Sequence, residues 1–317
     1  MTKKLPGAII KTRNKSVLIF TIGDKMSFVI SKKQHLAPTE ARIQYEPLIF
    51  EDEGFEVKKL DVSFGHPLYT AVADIFYIRS LWDVRKSIPV IPDGCMTLVF
   101  TGGSEHAEAY ICGVIDEIKK IDIEPGDYCI FMRFMPGTGY SLVEQPVSRI
   151  TNKALNVREN MAGGEQIISI LGRETQLVER IGLISKVIRI NLYGDSGKYL
   201  IKYCTRRILQ TQGNIKVEEL AEETGFTSRN ISKMFEKFVG ISPKLYSQII
   251  RLQFSMAKIM ENRNMLLMDV AIDCGFFDHA HMNRTYKKLI RCSSGEFRKN
   301  LFNNLDYDQI EDYISVE

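Results

Sequence analysis

The chain has 317 residues, of which 44% are hydrophobic, a length and composition typical of two globular domains with separate buried cores. Its longest early apolar runs, residues 17–20 and 27–30, are far shorter than the roughly 20 residues of a membrane-spanning helix. No small-residue cleavage site follows the basic start, as it would in a signal peptide. We therefore expect a cytoplasmic protein that does not contact the membrane.

The near-neutral total charge hides a strong asymmetry along the chain. Residues 1–197 hold 24 Lys and Arg against 24 Asp and Glu, whereas residues 198–300 hold 18 against 10, a net charge of +8. Residues 301–317 hold none against 5. A basic segment of domain size is typical of proteins that displace counterions from nucleic-acid phosphates, although a solvated basic surface would look the same.

The first half of the chain alternates short apolar segments with turn residues, which predicts a β-rich domain over residues 1–155. The predicted strands include residues 17–22, 28–30, 96–101, 110–114 and 128–134. A metal-dependent enzyme is the alternative for such a domain, but its three histidines, His35, His66 and His106, are far apart in sequence. We find no nucleophile elbow, no P-loop and no Cys-x-x-Cys pair, so we predict no catalytic residue, metal site or cofactor.

Two residues of this domain are weak candidates for contact with a small-molecule effector. Trp82 could form an aromatic wall and Arg133 could bind an anionic group. Packing in the core is the alternative for both residues, and it is the favoured one for Trp82. A helical linker follows over residues 156–197, with an apolar stripe between residues 161 and 193 and a flexible joint at residues 193–197.

The basic region contains two copies of one helical unit. Val217, Leu220, Ala221 and Thr224 have the spacing of a short amphipathic helix and precede Gly225-Phe226. Fifty residues later, Leu267, Val270, Ala271 and Cys274 repeat the spacing and precede Gly275-Phe276. Each glycine marks a sharp turn into a second helix, so the sequence predicts helix-turn-helix units over residues 216–239 and 266–290.

The second helix of each unit presents polar and cationic side chains. Thr227 and Asp278 are the predicted N-caps, and the displayed residues follow from the helical period. Arg229, Asn283 and Arg284 are chemically suited to read guanine or adenine, since Arg and Asn can each make two hydrogen bonds to those bases. The full set of predicted base contacts is Arg229, Asn230, Ser232, Lys233, His279, Ala280, His281, Asn283 and Arg284, and the predicted phosphate contacts are Thr227, Lys237, Lys287, Lys288 and Arg291. For any one of these residues alone, a solvated helix face would be the simpler explanation.

Between the units, Ser242-Pro243 predicts the start of a helix that continues to about Met260 and holds both units rigidly. If the two recognition helices lie on one face about 34 Å apart, they can enter successive major-groove turns.

These motifs resemble the AraC/XylS family of transcription regulators over roughly residues 195–300. The first unit matches at Ala221-x3-Gly225-Phe226 and Gly240-Ile241-Ser242-Pro243, and the second at Val270-Ala271-x2-Cys274-Gly275-Phe276 and at the closing Glu296-Phe297-Arg298. The chain departs from the family where a final Gly-x-Ser-Pro is usual, because Arg291 and Ser294 replace the glycine and the proline. Pro92-Asp93-Gly94-Cys95 and Arg133-Phe134 resemble an uncharacterised N-terminal domain of one branch of the family.

The resemblance implies a sequence-specific DNA-binding activator of α+β fold, with a β-rich sensor, a helical linker and an all-α reader over residues 198–300. Its implied partners are double-stranded promoter DNA, RNA polymerase, a small-molecule effector and a second copy of the chain. The resemblance also implies base contacts by Arg229, Ser232 and Lys233 and by Ala280, Asn283 and Arg284, and structural roles for Arg251 and Glu296. The apolar stripe before residue 193 is then either a dimerisation helix or a helix packed on its own β domain. The alternatives to effector gating are a partner protein, constitutive binding, or a bifunctional enzyme.

The acidic tail, residues 301–317, includes several apolar side chains among its charges. It either packs against the protein or competes with DNA for the basic face.

Overall fold

The computed structural model describes residues 68–102, 107–173, 176–191, 198–262 and 264–303, with residues 9–12, 15–22, 26–31, 51–52, 54–60, 62 and 315–316 as shorter segments. The predicted joint at residues 193–197 and the three N-terminal histidines lie outside these ranges. Among the described residues, no helix is long and apolar enough to cross a membrane.

The N-terminal half is built from β-strands, as predicted. The described strands of this half are β1 (Ile9–Thr12), β2 (Lys15–Ile22), β3 (Met26–Ser31), β4 (Glu51–Asp52), β5 (Phe55–Leu60), β6 (Val72–Ser80), β7 (Lys86–Val90), β8 (Thr97–Gly102), β9 (Ala107–Cys112), β10 (Lys119–Ile123), β11 (Tyr128–Phe134) and β12 (Lys153–Asn156). The short strand β13 (Ser315–Val316) comes from the C-terminal tail. The described strands form a four-stranded sheet in the order β1-β2-β3-β4, a β7–β10 ribbon, and a seven-stranded sheet in the order β13-β12-β9-β8-β11-β6-β5.

The central strands of the large sheet are buried on both faces. Alternate residues point to opposite sides of a strand, so Leu98 and Met132 face one side while Val99 and Phe131 face the other. The first side joins the main hydrophobic core with the helices. The second side packs with residues of the β7–β10 ribbon, including Ile88 and Ile123, in a smaller core.

The described helices follow the sheet and carry the rest of the chain. They are α1 (Val157–Asn160), α2 (Gly164–Leu171), α3 (Leu177–Asn191), α4 (Lys198–Gln210), α5 (Val217–Thr224), α6 (Ser228–Phe238), α7 (Pro243–Glu261), α8 (Leu267–Asp273), α9 (His279–Ile290) and α10 (Ser294–Asn303), with short 3-10 turns at Gly139–Leu142 and Val147–Arg149. The α+β fold and the helical C-terminal region are thus confirmed.

The apolar stripe of the predicted linker packs inside this same protein. Ile167, Ile184 and Ile188 have no exposed surface and belong to the main core. These residues therefore pack within the chain, and a role of the remaining stripe in dimerisation stays a prediction.

One continuous core joins the β-sheet to the helical region, and its buried residues lie between Leu68 and Phe297 in the sequence. The sequence predicts separate cores because the two regions differ in periodicity and charge. Periodicity identifies which face of each element is apolar, but it does not show that both faces are buried in a common interior.

Candidate DNA-binding surface and effector cavity

The two helix-turn-helix units have the turn and cap geometry expected from the sequence. Gly225 ends α5 at a φ of 71°, and Gly275 follows α8 at a φ of 76°. This left-handed region suits glycine because it has no Cβ. The side chain of Thr227 accepts a hydrogen bond from the Asn230 amide, and that of Asp278 accepts one from the His281 amide.

The second turn contains one more residue than the first. Gly225 and Gly275 are 50 positions apart, whereas the caps Thr227 and Asp278 are 51 apart. The additional residue is Phe277, whose side chain is 88% exposed. The two recognition helices are therefore equivalent at an offset of 51, so that Lys233 corresponds to Arg284.

The first recognition helix, α6, exposes a row of cations. Ile231, Phe235 and Phe238 are buried, which turns Arg229, Lys233 and Lys237 to solvent at intervals of four residues. Asn230 and Thr227 are also exposed, and Ser232 is half-buried with its hydroxyl donating to the Ser228 carbonyl at 2.9 Å. The Lys237 ammonium lies 4.8 Å from the centre of the Phe238 ring.

The second recognition helix, α9, shows the same pattern with fewer free polar groups. Ala280, Arg284, Lys287 and Lys288 are exposed, while Met282, Tyr286 and Leu289 are buried. His281 is half-buried, and its Nδ1 atom lies 3.3 Å from the Phe277 amide that donates to it. Burial and the positive charges of Arg251 and Arg284 lower the pKa of His281, which favours a neutral ring.

Asn283 differs from its neighbours because its side-chain amide is hydrogen-bonded to the first residue of α10. Its Oδ1 atom accepts hydrogen bonds from the Ser294 amide at 2.9 Å and from the Ser294 hydroxyl at 2.7 Å, and Ser294 is fully buried. His279 joins the same network, 3.1 Å from the Ser294 hydroxyl and 3.2 Å from the Asn283 side-chain nitrogen. A base contact by Asn283 would require it to give up these bonds.

The structural roles implied for Glu296 and Arg251 fit the geometry. Glu296 accepts from the Ser293 amide while the Ser293 hydroxyl accepts from the Glu296 amide, forming a capping box at the start of α10. Arg251 donates to the Gly213 carbonyl at 2.7 Å and stacks over the Phe276 ring.

The C-terminal ends of both recognition helices rest on the β domain. After α6, the Thr151 hydroxyl donates to the Gly240 carbonyl at 2.8 Å. Within the last turn of α9, the Leu289 carbonyl accepts from the Ile118 amide at 2.8 Å. Arg291 follows α9 at a φ of 58° and pairs with Glu117 at 2.9 Å, so this predicted phosphate contact is engaged within the protein.

The helix between the units, α7, also contacts the β domain directly. The Gln253 side chain donates to the Pro92 carbonyl at 2.7 Å and is buried. The ring of Tyr246 lies against Gly94, where an added Cβ would come within 2.6 Å of it. The segment 92–95 is therefore fixed between the sheet and the DNA-binding helices.

Beside that segment, a half-open cavity of about 60 Å³ lies between the large sheet and the β7–β10 ribbon. Its walls are mainly apolar, from Ile78, Val99 and Phe131 on the sheet and Ile88 and Ile121 on the ribbon. The polar wall residues are Asp93, Thr97 and Arg133. Among the described residues, no group of three or more His, Cys, Asp or Glu side chains could hold a metal ion.

A buried ion cluster forms the polar end of the cavity. Arg133 donates from Nε to Asp74 at 2.7 Å, from Nη2 to Asp74 at 2.6 Å, and from Nη1 to Asp93 at 3.3 Å. Asp93 also accepts from the Cys95 amide at 2.8 Å. Burial raises the pKa of Asp93 to about 6, because the positive charge of Arg133 and the Cys95 amide offset only part of the desolvation.

The structure separates the two effector candidates. Arg133 lines the cavity, but Trp82 does not; it lies half-buried over Gly54, with the Lys86 ammonium 4.6 Å from its ring.

Sequence reasoning missed Asp74 as a candidate. The available signal was a carboxylate in the middle of the apolar strand Val72–Ser80.

Comparisons with known proteins agree with this arrangement. Residues 220–300 match the helix-turn-helix domain family, and residues 66–156 match a domain family of unknown function, DUF6597. A probable transcription factor, PqrA, of Proteus vulgaris is 26% identical over 32% of this chain and 81% of its own length. An uncharacterised helix-turn-helix-type transcriptional regulator of Haemophilus influenzae is 26% identical over 51% of this chain, which spans 55% of that relative.

Among solved structures, ToxT from Vibrio cholerae aligns with 78% of this chain and 97% of its own, at 10% identity and a TM-score of 0.36, too low to support an argument about this chain. The helix-turn-helix match covers both recognition helices. Residues 220–300 are therefore a helix-turn-helix domain of the AraC type, and the resemblance of this region to the AraC/XylS family is confirmed.

Proposed function

We propose that this protein is an effector-responsive transcription activator that places α6 and α9 in successive major grooves of promoter DNA. The observation that carries the proposal is the matching row of exposed side chains on the two recognition helices. Arg229, Lys233 and Lys237 on α6 are matched, at the offset of 51, by Ala280, Arg284 and Lys288 on α9. Cations therefore recur at two of the three positions, with Lys233 matched by Arg284 and Lys237 by Lys288, which supports a shared binding role for the two helices.

The two helices divide their contacts between bases and phosphates. Arg229 and Arg284 lie in the N-terminal halves of their helices and have the donors to bond guanine. Lys233 and the Ala280 methyl group also face outward for base contacts, while Lys237, Lys287 and Lys288 bind phosphates. His279 and Asn283 act mainly by holding α10, as their hydrogen bonds to Ser294 indicate.

Effector control follows from the contacts between the β domain and the reader. A ligand shifts the equilibrium between two arrangements only by its difference in affinity for them. Because the β domain contacts α6, α7 and α9, a ligand that alters it changes how both recognition helices are presented. We further propose that the protein acts in the cytoplasm, recruits RNA polymerase and binds DNA as a dimer, as the family resemblance implies.

The proposal is tested by selecting binding sites from random duplex DNA with the full-length protein at two salt concentrations. We expect an enriched motif with two clusters of fixed bases about one helical turn apart, or roughly 10 base pairs. The motif should persist at the higher salt, where contacts to phosphates alone weaken. Enrichment of a single cluster would refute the double reader, and binding without any motif would refute sequence-specific recognition.

A further inference from the structure

Phe277, the residue just before the second recognition helix, is a large apolar side chain that the fold leaves in solvent. Its exposed fraction of 88% is the highest among the large apolar side chains in the described part of the chain. A hydrophobic residue that precedes a helix N-cap often packs against the fourth residue of that helix, which is Met282 here. Met282 is completely buried, whereas an exposure of 88% is incompatible with such packing. The aromatic residue that the turn does bury is Phe276.

The backbone that carries Phe277 is held in place by the turn around it. The Phe277 amide donates to the Nδ1 atom of His281 at 3.3 Å. The ring of His281 lies edge-on to that of Phe276, with 5.5 Å between the ring centres. On the other side, Gly275 sits so close to Asn214 that an added Cβ would lie 1.8 Å from its Oδ1 atom. Little backbone freedom is therefore lost when Phe277 makes a contact with another molecule.

The position of Phe277 is at the end of α9 that reads bases in a helix-turn-helix. The N-terminal residues of a recognition helix contact base edges in the major groove. Asp278 is the N-cap of α9, and the exposed Ala280 and Arg284 follow in its first two turns. At the offset of 51, Phe277 corresponds to Phe226, which is 47% exposed. An exposed phenylalanine therefore precedes both recognition helices.

The surface around Phe277 favours DNA as its partner. The exposed charged residues of α9 are Arg284, Lys287 and Lys288, all of them cations. Such a surface is complementary to a polyanion.

The chemistry of the phenyl ring selects one base. The ring has no hydrogen-bond donor or acceptor for a phosphate or for the polar atoms of a base edge. In the major groove, the apolar group that a base pair presents is the C5-methyl group of thymine. Phe277 therefore gains free energy in the groove by covering that methyl group, which removes both apolar surfaces from water.

We propose that Phe277 is a base-reading residue that recognises the methyl group of one thymine in the half of the DNA site bound by α9. This inference rests on the proposed function, which places α9 in the major groove. The second recognition helix then reads two kinds of base by two kinds of contact. Arg284 binds guanine by hydrogen bonds, and Phe277 binds thymine by apolar packing.

The test replaces each thymine of the selected duplex, one at a time, by uracil. Uracil pairs as thymine does and differs from it by the missing methyl group. Fluorescence anisotropy with the full-length protein should show an affinity about fourfold lower at one position, the factor that corresponds to about 0.8 kcal/mol for one buried methyl group. Phe277→Ala should bind the thymine duplex at least about fourfold more weakly, since the same contact is lost. It should also bind the thymine and uracil duplexes equally at that position.

Two further variants control for other causes. Phe277→Leu keeps an apolar side chain and should retain a preference for thymine over uracil at the same position. Tyr199→Ala removes a ring that is 80% exposed on α4, outside both helix-turn-helix units, and should leave both affinities unchanged. Denaturant unfolding of Phe277→Ala should match that of the natural protein, because the side chain is exposed.

Three results would overturn the inference. The first is a selected site in which no thymine is sensitive to uracil. The second is a sensitivity to uracil that persists at every position in Phe277→Ala, because another residue would then read the methyl group. The third is unchanged DNA affinity in Phe277→Ala, which would instead indicate a protein partner for the exposed ring.

The same measurements separate this inference from the proposed function. If selection gives a motif with two clusters and no thymine depends on Phe277, the inference fails while the double reader stands. Binding of DNA without any motif would overturn both.

Discussion

Glu117 of the β domain and Arg291, the residue that follows the second recognition helix, form an ion pair of 2.9 Å across the junction of the two regions. The hydrogen bonds from Lys119 and Arg291 lower the pKa of Glu117, so the carboxylate is ionised at neutral pH. Arg291 corresponds, at the offset of 51, to Gly240 after the first recognition helix, and both have positive φ. The β domain thus holds Arg291, which the sequence predicts as a phosphate contact, in an ion pair at this position.

We predict that Glu117→Gln increases DNA affinity a few-fold, because it removes the ion pair that holds Arg291, a predicted phosphate contact, to the β domain. Stability should change by less than about 1 kcal/mol, since the pair is partly exposed. Fluorescence anisotropy with the selected duplex measures the affinity. Glu144→Gln, at an exposed residue, makes the same change in net charge and serves as the control. Equal gains for both variants would show a general charge effect instead of the release of Arg291.

Arg229→Ala and Arg284→Ala should each relax preference at one base position and cost about 1–3 kcal/mol on the selected site. Lys287→Ala should weaken binding to selected and random DNA alike, because a phosphate contact carries no sequence information. Competition binding against single-base variants of the site distinguishes these results. Lys186→Ala removes an exposed cation of α3, outside both units, and should have little effect. Equal losses on selected and random DNA for both arginines would contradict their role as base readers.

Asn283→Ala should lower the free energy of unfolding by about 1–3 kcal/mol, because the buried Ser294 amide and hydroxyl lose their acceptor. Arg284→Ala, at the next position on the same helix, should leave stability nearly unchanged because its side chain is exposed. Denaturant unfolding of both variants measures the difference. A stable Asn283→Ala protein that loses preference at a single adenine would instead identify Asn283 as a base reader.

Stability should fall as the pH rises from about 4 to about 6 through the titration of Asp93. Its pKa is about 6 in the folded protein and about 3.9 in an unfolded chain, so the folded state binds more protons in this window. Among the described residues, the charged and titratable groups around it include Arg133, Asp74, the Cys95 thiol and the Tyr246 phenol.

The contribution of Asp93 is obtained by subtracting the unfolding free energies of Asp93→Asn from those of the natural protein at each pH. The difference should change by at most about 3 kcal/mol across the window. Subtraction is needed because carboxylates with lowered pKa values, such as Glu296, give the opposite trend and lose stability as the pH falls. A difference that is flat with pH would show that folding does not raise the pKa of Asp93.

Removal of residues 304–317 should leave DNA affinity unchanged. Ser315 and Val316 pair in parallel with Lys153 and Ala154 at the edge of the large sheet, which favours packing of the tail over competition with DNA. The cut follows α10, so the described helix remains whole. A rise in DNA affinity on the same duplex would favour the competing role.

The local features of the reader were predictable because each depends on a few adjacent residues. The left-handed glycines, the caps Thr227, Ser242 and Asp278, and the buried faces of α6 and α9 all follow from spacing and side-chain type. The contacts that define the cavity and the junction join distant positions. Arg133 and Asp74 are 59 residues apart and Arg291 and Glu117 are 174 apart, so no local period can reveal them. The helical period of α9 predicts an exposed Asn283, whereas its hydrogen bonds to Ser294 depend on how α10 packs, which that period does not contain.

Three contacts join the reader to the β domain: Gly240 with Thr151, Tyr246 with Gly94, and Leu289 with Ile118. The surfaces of the two regions are therefore complementary at these positions. Two of these contacts are hydrogen bonds to backbone carbonyls, and at the third Gly94 leaves no room for a larger side chain. Each contact therefore requires the two backbones to meet in this arrangement, which polarity alone does not provide. Domain exchange with other regulators will therefore fail at the graft boundary unless both sides of these three contacts are transferred. For this protein, new DNA specificity is better introduced by recoding the exposed residues of α6 and α9 than by exchanging domains.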